Sequence, residues 1–282
     1  MEIGRIAVLG AGQMGAGIAQ VASCAGFPVV MIDIEQKYID RGIQTIEKSL
    51  SKLVSKQRMT QEEADVAISL VSTSISREAA ADADLVIEAI PEVPELKFSA
   101  FKELDSICKE SAILASNTSS ISINDIADST NRPERVIGMH FMNPVPIMKL
   151  VEIINGRETD PEVTSAILTA SQKMGKTPLQ CNDSPGFISN RILCPMLNEA
   201  ILALQEGVAT PEAIDGIMKL GMNHPIGPLA LADLIGLDTV LHIMNVLRQG
   251  LEDEKYAPAD LLISMVSEGN LGRKTGKGFY SY

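Results

Sequence analysis

Two residues that could carry acid–base chemistry lie close together in the sequence. His140, one of only three histidines, ends a strand-like apolar run, "RVIGMH", and Glu152 is a lone carboxylate inside the next such run, "KLVEII". Two prolines separate the runs, so the second would return to the same sheet as a hairpin or a crossover. Glu152 could then hold one imidazole nitrogen and orient His140 as a general base. A structural histidine beside a strand carboxylate would show the same spacing.

A glycine-rich turn near the start of the chain indicates a dinucleotide site. The motif "GAGQMG" follows the strand-like run "RIAVLG" and opens a helical stretch. Gly10 permits the tight turn, Gly12 lets the backbone approach a pyrophosphate, and Gly15 allows close packing of helix on strand. We predict that this motif, including Gln13 and Met14, contacts a dinucleotide, although a glycine-rich structural turn is the alternative.

An acidic residue after the second strand-like run predicts which dinucleotide binds. The run "VVMID" ends in Asp33, 18 positions beyond Gly15, which is the usual spacing of the ribose-binding carboxylate. A carboxylate accepts hydrogen bonds from a ribose 2′-hydroxyl and repels a 2′-phosphate. The predicted cofactor is therefore NAD rather than NADP, and the adjacent Lys37 weakens this preference only slightly.

One stretch reverses the sign of an otherwise acidic chain. The net charge is −12, yet residues 35–58 carry six cationic and only three anionic side chains. Lys48, Lys52 and Lys56 recur every four residues on one predicted helical face, with Ser49 beside them. Such a face suits an extended phosphorylated ligand, although a solvated helix surface has the same pattern.

Further polar residues stand where strands and helices could present them to a ligand. The run "SNTSS", Ser116 to Ser120, follows the strand-like "AILA", at the position where a doubly wound sheet contacts its ligands. Asn190, in "GFISNR", lies on the first helix after a predicted domain boundary and could face an interdomain cleft. A polar turn and an exposed helical asparagine are the alternatives.

The order of these runs predicts an α/β protein with two domains. Strand-like and amphipathic stretches alternate through the first part of the chain, which indicates a Rossmann-type, doubly wound, mostly parallel sheet over residues 1–184. A helical insertion is expected at about residues 36–70. From "DSPGF" onward helical periodicity replaces the strand signals, so residues 185–282 are predicted to form an all-α substrate and dimerisation domain.

Composition excludes several classes of partner. A net charge of −12 argues against nucleic acid, and no segment has about 18 uninterrupted apolar residues, so we expect neither a membrane anchor nor an export leader. The four cysteines lie far apart with no C-x-x-C spacing, which favours buried thiols in a reducing cytoplasm and predicts no metal site.

Taken together, the motifs resemble the L-3-hydroxyacyl-CoA dehydrogenase family, most closely its short bacterial members that act on 3-hydroxybutyryl-CoA. The resemblance runs from Arg5 to Tyr282 and rests on "GAGQMG", "EAIPE", "SNTSS", "HFMNPVPIMKLVEII", "DSPGFISNR", "GLDT" and "RKTGKGFY". It implies reversible oxidation of a short-chain 3-hydroxyacyl-CoA with NAD(H).

The resemblance also implies roles for individual residues. His140 would be the catalytic base and Glu152 its partner, while Ser119 and Asn190 would hydrogen-bond the reacting oxygen or the thioester. The nucleotide end of coenzyme A would contact the basic stripe, which is the helical face that carries Ser49, Lys52 and Lys56. Further cofactor contacts are implied for Asp33, Glu92, Lys97, Asn117, Asn143 and Lys274.

Two other functions stay open on the sequence alone. One is an NAD-dependent dehydrogenase of a small free hydroxy acid, for which the basic helix would be surface only. The other is an NAD(H)-binding sensor or structural protein without turnover, which the intact set of four catalytic residues disfavours. The apolar runs "GPLALADLIGLDTVLHIMNVL" and "LLISMVSEG" suggest a subunit interface, and the resemblance implies at least a homodimer.

Overall fold

Short apolar runs form the strands of the first part of the chain, and amphipathic stretches form its helices. The computed structural model describes all 282 residues, in two units at Met1–Asp183 and Ser184–Tyr282. The strands of the first unit are β1 (Ile6–Leu9), β2 (Val29–Ile32), β3 (Val71–Ser74), β4 (Leu85–Glu88), β5 (Ile113–Ser116), β6 (Val136–Phe141), β7 (Leu150–Asn155) and β8 (Thr177–Asn182). Its helices are α1 (Gln13–Cys24), α2 (Gln36–Ser55), α3 (Gln61–Ser69), α4 (Pro94–Ile107), α5 (Ile123–Ala127) and α6 (Pro161–Lys173).

One sheet holds all eight strands, in the order β3-β2-β1-β4-β5-β6-β7-β8. Neighbouring strands run parallel, except that β6 and β7 pair antiparallel. Every residue of β1, β2, β4 and β5 is buried, as a parallel sheet covered by helices requires. The winding reverses between β1 and β4, which creates a ligand crevice at the carboxyl ends of the strands. The predicted doubly wound Rossmann-type fold is therefore confirmed.

The sequence prediction missed two strands, and both lie at the edges of the sheet. β3 reads "VSTS" and β8 reads "TPLQCN", so neither contains the β-branched apolar run that marks the central strands. Every residue of β8 is exposed or half-buried. Pro178 is compatible with this position because an edge strand need not donate every backbone N–H.

Helices α2 and α3 occupy the region of the predicted insertion. In α2 the buried residues Ile39, Ile46 and Leu50 recur at helical spacing and leave the opposite face to charged side chains. Helix α3 begins with a capping box, in which the Thr60 hydroxyl accepts from the Glu63 N–H and the Glu63 carboxylate accepts from the Thr60 N–H. The basic residues of α2 therefore project from a helix whose other face is fixed by the core.

The second unit is helical, as predicted. Its helices are α7 (Ser189–Gln205), α8 (Pro211–Gly221), α9 (Pro228–Ile235), α10 (Leu237–Leu251) and α11 (Asp260–Ser267). The core is built from aliphatic side chains that are fully buried, including Leu197, Ile201, Leu229, Val240 and Leu247. Asp215, 5 % exposed, accepts from the Leu229 and Ala230 N–H groups and thereby caps the start of α9.

The four cysteines are all free, but they are not all buried. Cys108 and Cys194 are buried and Cys181 is half-buried, whereas Cys24 is exposed because it is the last residue of α1, beyond the part that the core covers. The prediction of a buried thiol is therefore wrong for Cys24. No single helix has the length and apolar character needed to cross a membrane, and only α9 and α10 taken together, bent by 97°, meet that test.

Candidate active site

The turn between β1 and α1 is built for close approach of a ligand to the backbone. Gly10 has φ +106°, a backbone conformation that residues with a side chain rarely adopt. A Cβ on Gly15 would lie 1.8 Å from the Gly10 carbonyl oxygen, so only glycine fits there. A Cβ on Gly12 would meet nothing within 4 Å, so this side of the turn is open. No side chain caps the start of α1, which leaves its first N–H groups to a phosphate.

Asp33 is attached to this turn. Its Oδ2 accepts from the Ala11 N–H at 2.7 Å, and its Oδ1 accepts from the Ile34 N–H at 2.7 Å. The carboxylate at the end of β2 is thus held beside the glycine turn of β1, as ribose recognition requires. Lys37 forms an ion pair with Glu35 at 2.6 Å, so its charge is partly neutralised beside Asp33.

A histidine and a glutamate form a buried pair on the antiparallel strands. The register of β6 and β7 places His140 directly opposite Glu152. Opposed side chains on adjacent antiparallel strands are close enough to interact, and the His140 Nδ1 lies 2.8 Å from the Glu152 Oε2. The residues are 8 % and 5 % exposed, respectively. A buried carboxylate at this distance from Nδ1 fixes the orientation of the imidazole ring.

A buried ion pair lies at the carboxyl end of β4. The Lys97 ammonium is 2.5 Å from the Glu88 Oε1 and 3.2 Å from the Glu92 Oε2. Glu88 and Lys97 are at most 1 % exposed, whereas the Glu92 side chain is 30 % exposed. Burial alone would raise the pKa of Glu92, but the Lys97 ammonium and the hydrogen-bond donors around the carboxylate hold that pKa below its ordinary value.

The Glu92 carboxylate accepts several hydrogen bonds from the polar turn that follows β5. Its Oε1 accepts from the Thr118 hydroxyl at 2.6 Å, from the Ser119 N–H at 2.8 Å and from the Ser120 N–H at 3.1 Å. The hydroxyls of Ser119 and Ser120 also lie within hydrogen-bond distance, at 3.2 and 3.1 Å. Two sequence motifs, "EAIPE" and "SNTSS", therefore meet in one polar cluster at the edge where ligands bind.

Two asparagines connect neighbouring segments at the same edge. The Asn117 Oδ1 accepts from the Phe141 N–H at 2.9 Å, which joins the end of β5 to the end of β6. The Asn143 Oδ1 accepts from the Gln13 amide at 3.1 Å, which joins the segment after β6 to the start of α1. The structure thus places Gly10, Asp33, Glu92, Asn117 and His140 at or near the carboxyl ends of β1, β2, β4, β5 and β6. Glu152 lies opposite His140 on β7, whereas Ser49 and Lys52 lie on α2 and Lys56 follows it.

A basic cavity of about 460 Å³ lies between α2 and the segment after β6. Four cations line it, Lys48, Lys52, Lys56 and Arg58, together with Ser49. No Asp or Glu lines the cavity, and none of the four cations has a carboxylate within 4.0 Å. Uncompensated cations around a cavity attract polyanions, so this site suits a phosphorylated ligand.

Two of the predicted site residues belong to the second unit. Asn190 is the second residue of α7 and is half-buried. The Lys274 ammonium pairs with Asp238, at 2.6 Å from its Oδ2, near the start of α10. No group of three or more His, Cys, Asp and Glu side chains is placed to hold a metal ion.

The sequence analysis assigned no role to Glu88, and it treated Ser116 only as the first residue of the polar run "SNTSS". The Ser116 hydroxyl donates to the Glu88 Oε2 at 2.6 Å, and both residues are completely buried. The signal was nevertheless present, because Glu88 is a carboxylate that directly follows the apolar run "LVI". The same reasoning that singled out Glu152 would have found it.

Models of known families match both units. The model described as "3-hydroxyacyl-CoA dehydrogenase, NAD binding domain" matches residues 5–184. The model described as "3-hydroxyacyl-CoA dehydrogenase, C-terminal domain" matches residues 186–282.

Individual proteins are similar over the whole chain. A probable 3-hydroxybutyryl-CoA dehydrogenase of Deinococcus radiodurans is 56 % identical over 99 % of this chain and 100 % of its own length. A 3-hydroxybutyryl-CoA dehydrogenase of Clostridioides difficile is 49 % identical over 99 % of each chain. The crystal structure of (S)-3-hydroxybutyryl-CoA dehydrogenase from Ralstonia eutropha is 49 % identical, with a TM-score of 0.98 over 100 % of this chain and 99 % of that one.

Proposed function

The chain belongs to the 3-hydroxyacyl-CoA dehydrogenase family, and on that premise we propose that it interconverts acetoacetyl-CoA and (S)-3-hydroxybutyryl-CoA with NAD(H). The observation that carries the proposal is the buried contact of 2.8 Å between His140 and Glu152. It supplies an oriented base for the proton that leaves a secondary alcohol on oxidation.

His140 is the general acid and base of the proposed reaction. It accepts the proton of the 3-hydroxyl group on oxidation and returns it to the carbonyl oxygen on reduction. Glu152 holds Nδ1, so that Nε2 faces the reaction, and its charge stabilises the imidazolium. Ser119 and Asn190 are proposed to hydrogen-bond the reacting oxygen or the thioester carbonyl.

The residues of the first unit fit the dinucleotide. The open side at Gly12, the uncapped start of α1 and the Asp33 carboxylate match a pyrophosphate followed by a ribose. NAD supplies the acceptor and donor of the hydride. The proposed contacts are those predicted from the sequence, Gly10, Gly12, Gln13, Met14, Gly15, Asp33, Glu92, Lys97, Asn117, Asn143 and Lys274. Lys97 is 1 % exposed and pairs with Glu92. Its charge would therefore act on the bound dinucleotide through the Glu92 carboxylate.

The basic cavity is the proposed site of the nucleotide end of coenzyme A. That part of the substrate carries several phosphate charges, and the cavity offers four cations without carboxylate partners. Ser49, Lys52 and Lys56 are the proposed contacts. This cavity favours an acyl-CoA over a small free hydroxy acid, which would have no use for it.

A single absorbance assay tests the proposal. We expect acetoacetyl-CoA to oxidise NADH in the presence of the protein and acetoacetate to do so much more slowly, because acetoacetate lacks the phosphates that the cavity binds. Turnover of acetoacetate at the rate of the thioester would favour a free hydroxy acid as the substrate. Absence of turnover with both would leave a protein that binds NAD(H) without catalysis.

Substitution of Asp33 tests the predicted cofactor preference. Asp33→Asn keeps an oxygen that can accept from the Ala11 N–H. It removes the negative charge that is proposed to bind the ribose hydroxyl of NADH and to repel the 2′-phosphate of NADPH. We expect NADH binding to weaken by about 1 kcal/mol, the difference between a charged and a neutral hydrogen bond, and NADPH binding to strengthen. Dissociation constants measured by fluorescence titration report both. Asp84→Asn is the matched control, since Asp84 accepts backbone N–H groups of Gly4 and Arg5 instead. An unchanged ratio of the two constants would remove Asp33 from the ribose site.

Charge reversal on α2 tests the coenzyme A site. We expect Lys52→Glu with Lys56→Glu to raise KM for acetoacetyl-CoA and to leave KM for NADH nearly unchanged, because the new carboxylates repel only the phosphates in the basic cavity. Added salt should weaken substrate binding in the parent protein in the same sense. Lys102→Glu with Lys255→Glu changes the net charge equally at exposed positions elsewhere. Equal KM values for the two double variants at low salt would show that the stripe is only a solvated surface.

The location and assembly of the protein also belong to this proposal. Four free cysteines support a reducing cytoplasm, and the acidic net charge argues against nucleic acid. A homodimer or higher homo-oligomer is supported by large apolar side chains exposed on the second unit. They include Ile192, Ile217, Leu220, Met222 and Ile263.

A further inference from the structure

The buried carboxylate of Glu88 lies at the junction of two strands that end at the proposed active site. Glu88 is the last residue of β4 and pairs in register with Ser116, the last residue of β5. Both residues are completely buried. A buried carboxylate is costly, and an apolar residue of similar size is often equally stable at such a position. Stability alone therefore does not explain a carboxylate at the carboxyl end of β4.

Two hydrogen-bonded paths run from Glu88 to the turn that carries Ser119. In the first, Glu88 holds the Lys97 ammonium at 2.5 Å, Lys97 reaches Glu92 at 3.2 Å, and Glu92 accepts from the Ser119 N–H and hydroxyl. In the second, the Ser116 hydroxyl donates to Glu88 at 2.6 Å and accepts from the Thr118 N–H at 3.2 Å.

Both paths converge on the same short turn from opposite sides. Glu92 contacts its side chains and N–H groups from the β4 side, while Ser116 holds its first N–H from the end of β5. The Thr118 hydroxyl in turn accepts from the Ile121 N–H at 2.9 Å, which closes the turn. Removing the Ser116 hydroxyl would loosen one side only, so the turn could shift without unfolding, whereas a change at Glu88 acts on both paths.

We propose that Glu88 and Ser116 are positioning residues, which fix the turn Thr118–Ser120 so that the Ser119 hydroxyl meets the reacting oxygen. The inference rests on the proposed function, since it assigns Ser119 a contact with the substrate. Neither residue touches the substrate. They act through Ser119, in the way that residues behind a binding group set its geometry.

A double-mutant cycle with Ser119 tests this role. Ser116→Ala removes one hydroxyl and is expected to lower kcat for acetoacetyl-CoA reduction roughly 10- to 100-fold, the scale of a small misplacement of a reacting group. KM for NADH should stay close to its parental value. In a Ser119→Ala background the same change should cost less than about twofold, because the group that Ser116 positions is already absent. A residue with a merely structural role would lower kcat by the same factor in both backgrounds.

Controls separate positioning from loss of stability. Ser23→Ala also removes a buried hydroxyl that donates one hydrogen bond, to the Gln20 carbonyl oxygen at 3.1 Å, and should leave kcat unchanged. If Ser116→Ala does not fold, as judged by its thermal midpoint, Ser116→Cys carries the same cycle, because it keeps the size of the side chain and is a weaker donor. Glu88→Gln tests the path through Lys97 separately, since its amide oxygen can still accept from Ser116. Equal losses in both backgrounds, or no loss in the single variant, overturn the inference while the proposed function stands. A parent protein that does not reduce acetoacetyl-CoA overturns the proposed function instead.

Discussion

We expect the His140→Gln enzyme to reduce acetoacetyl-CoA roughly 10²–10⁴ times more slowly than the parent, because glutamine has a polar side chain but cannot accept and return the proton. NADH binding should be retained, since the proposed role of His140 is proton transfer and not a contact with the adenosine end of the cofactor. Stopped-flow measurement of NADH oxidation, with NADH affinity from fluorescence titration, separates these effects. His242→Gln is the matched control, because His242 is exposed on α10 of the second unit.

The contribution of Glu152 is measured by completing the cycle. Glu152→Gln preserves the shape of the side chain but deletes the carboxylate that is proposed to orient His140, so kcat should fall. The double variant should lose far less than the product of the two single losses, because residues that act as a unit are not additive. Losses that multiply, or a His140→Gln enzyme with near-parental kcat, would make His140 a structural residue and place the proton acceptor elsewhere.

The second large effect concerns stability. We expect Lys97→Met to lower the free energy of unfolding by about 3–5 kcal/mol, because it leaves the Glu88 carboxylate buried without its counter-ion. The two groups are 2.5 Å apart and their side chains are at most 1 % exposed. Denaturant unfolding followed by circular dichroism gives the value from the shift of the transition midpoint.

Two further variants identify the origin of that loss. Lys97→Met with Glu88→Leu replaces the ion pair by apolar side chains and should recover part of the stability, since the unpaired charge is gone. Arg157→Met breaks an exposed pair with Asp128, whose side chains are 65 % and 56 % exposed, and should change the free energy by less than about 1 kcal/mol. A loss for Lys97→Met as small as that for Arg157→Met would mean that water or a rearranged side chain compensates Glu88.

The central part of the fold could be predicted because its signals are local. The runs that became β1, β2, β4 and β5 are continuous apolar segments, as burial on both faces of a sheet requires. The proximity of Asp33 to the glycine turn could be predicted because the dinucleotide motif has a fixed spacing; their contacts with the cofactor stay predictions. His140 and Glu152 were singled out because ionisable side chains inside apolar runs need partners.

Other features could not be read from the sequence because they depend on tertiary position. The edge strands β3 and β8 pair through their backbones, and their side chains face partly outward, so no apolar pattern marks them. The choice between hairpin and crossover for β6 and β7 was open, and the structure shows antiparallel pairing. The burial of Lys97 between Glu88 and Glu92 depends on how the start of α4 folds back over β4. A lysine in an amphipathic helix gives no sign of it.

The antiparallel pairing of β6 and β7 forms a hairpin whose strands hold His140 and Glu152 and whose connecting segment lines the basic cavity. The ladder between the strands sets His140 opposite Glu152, whereas the connecting segment, residues 142–149, supplies Asn143 to Ile147 to the basic cavity. Changing the length of a loop costs little closure entropy, but a one-residue slip of either strand would turn the carboxylate to the other face of the sheet. The tip of the hairpin is therefore a favourable target for directed evolution, because libraries of connecting segments would vary the proposed coenzyme A cavity while His140 and Glu152 keep their geometry.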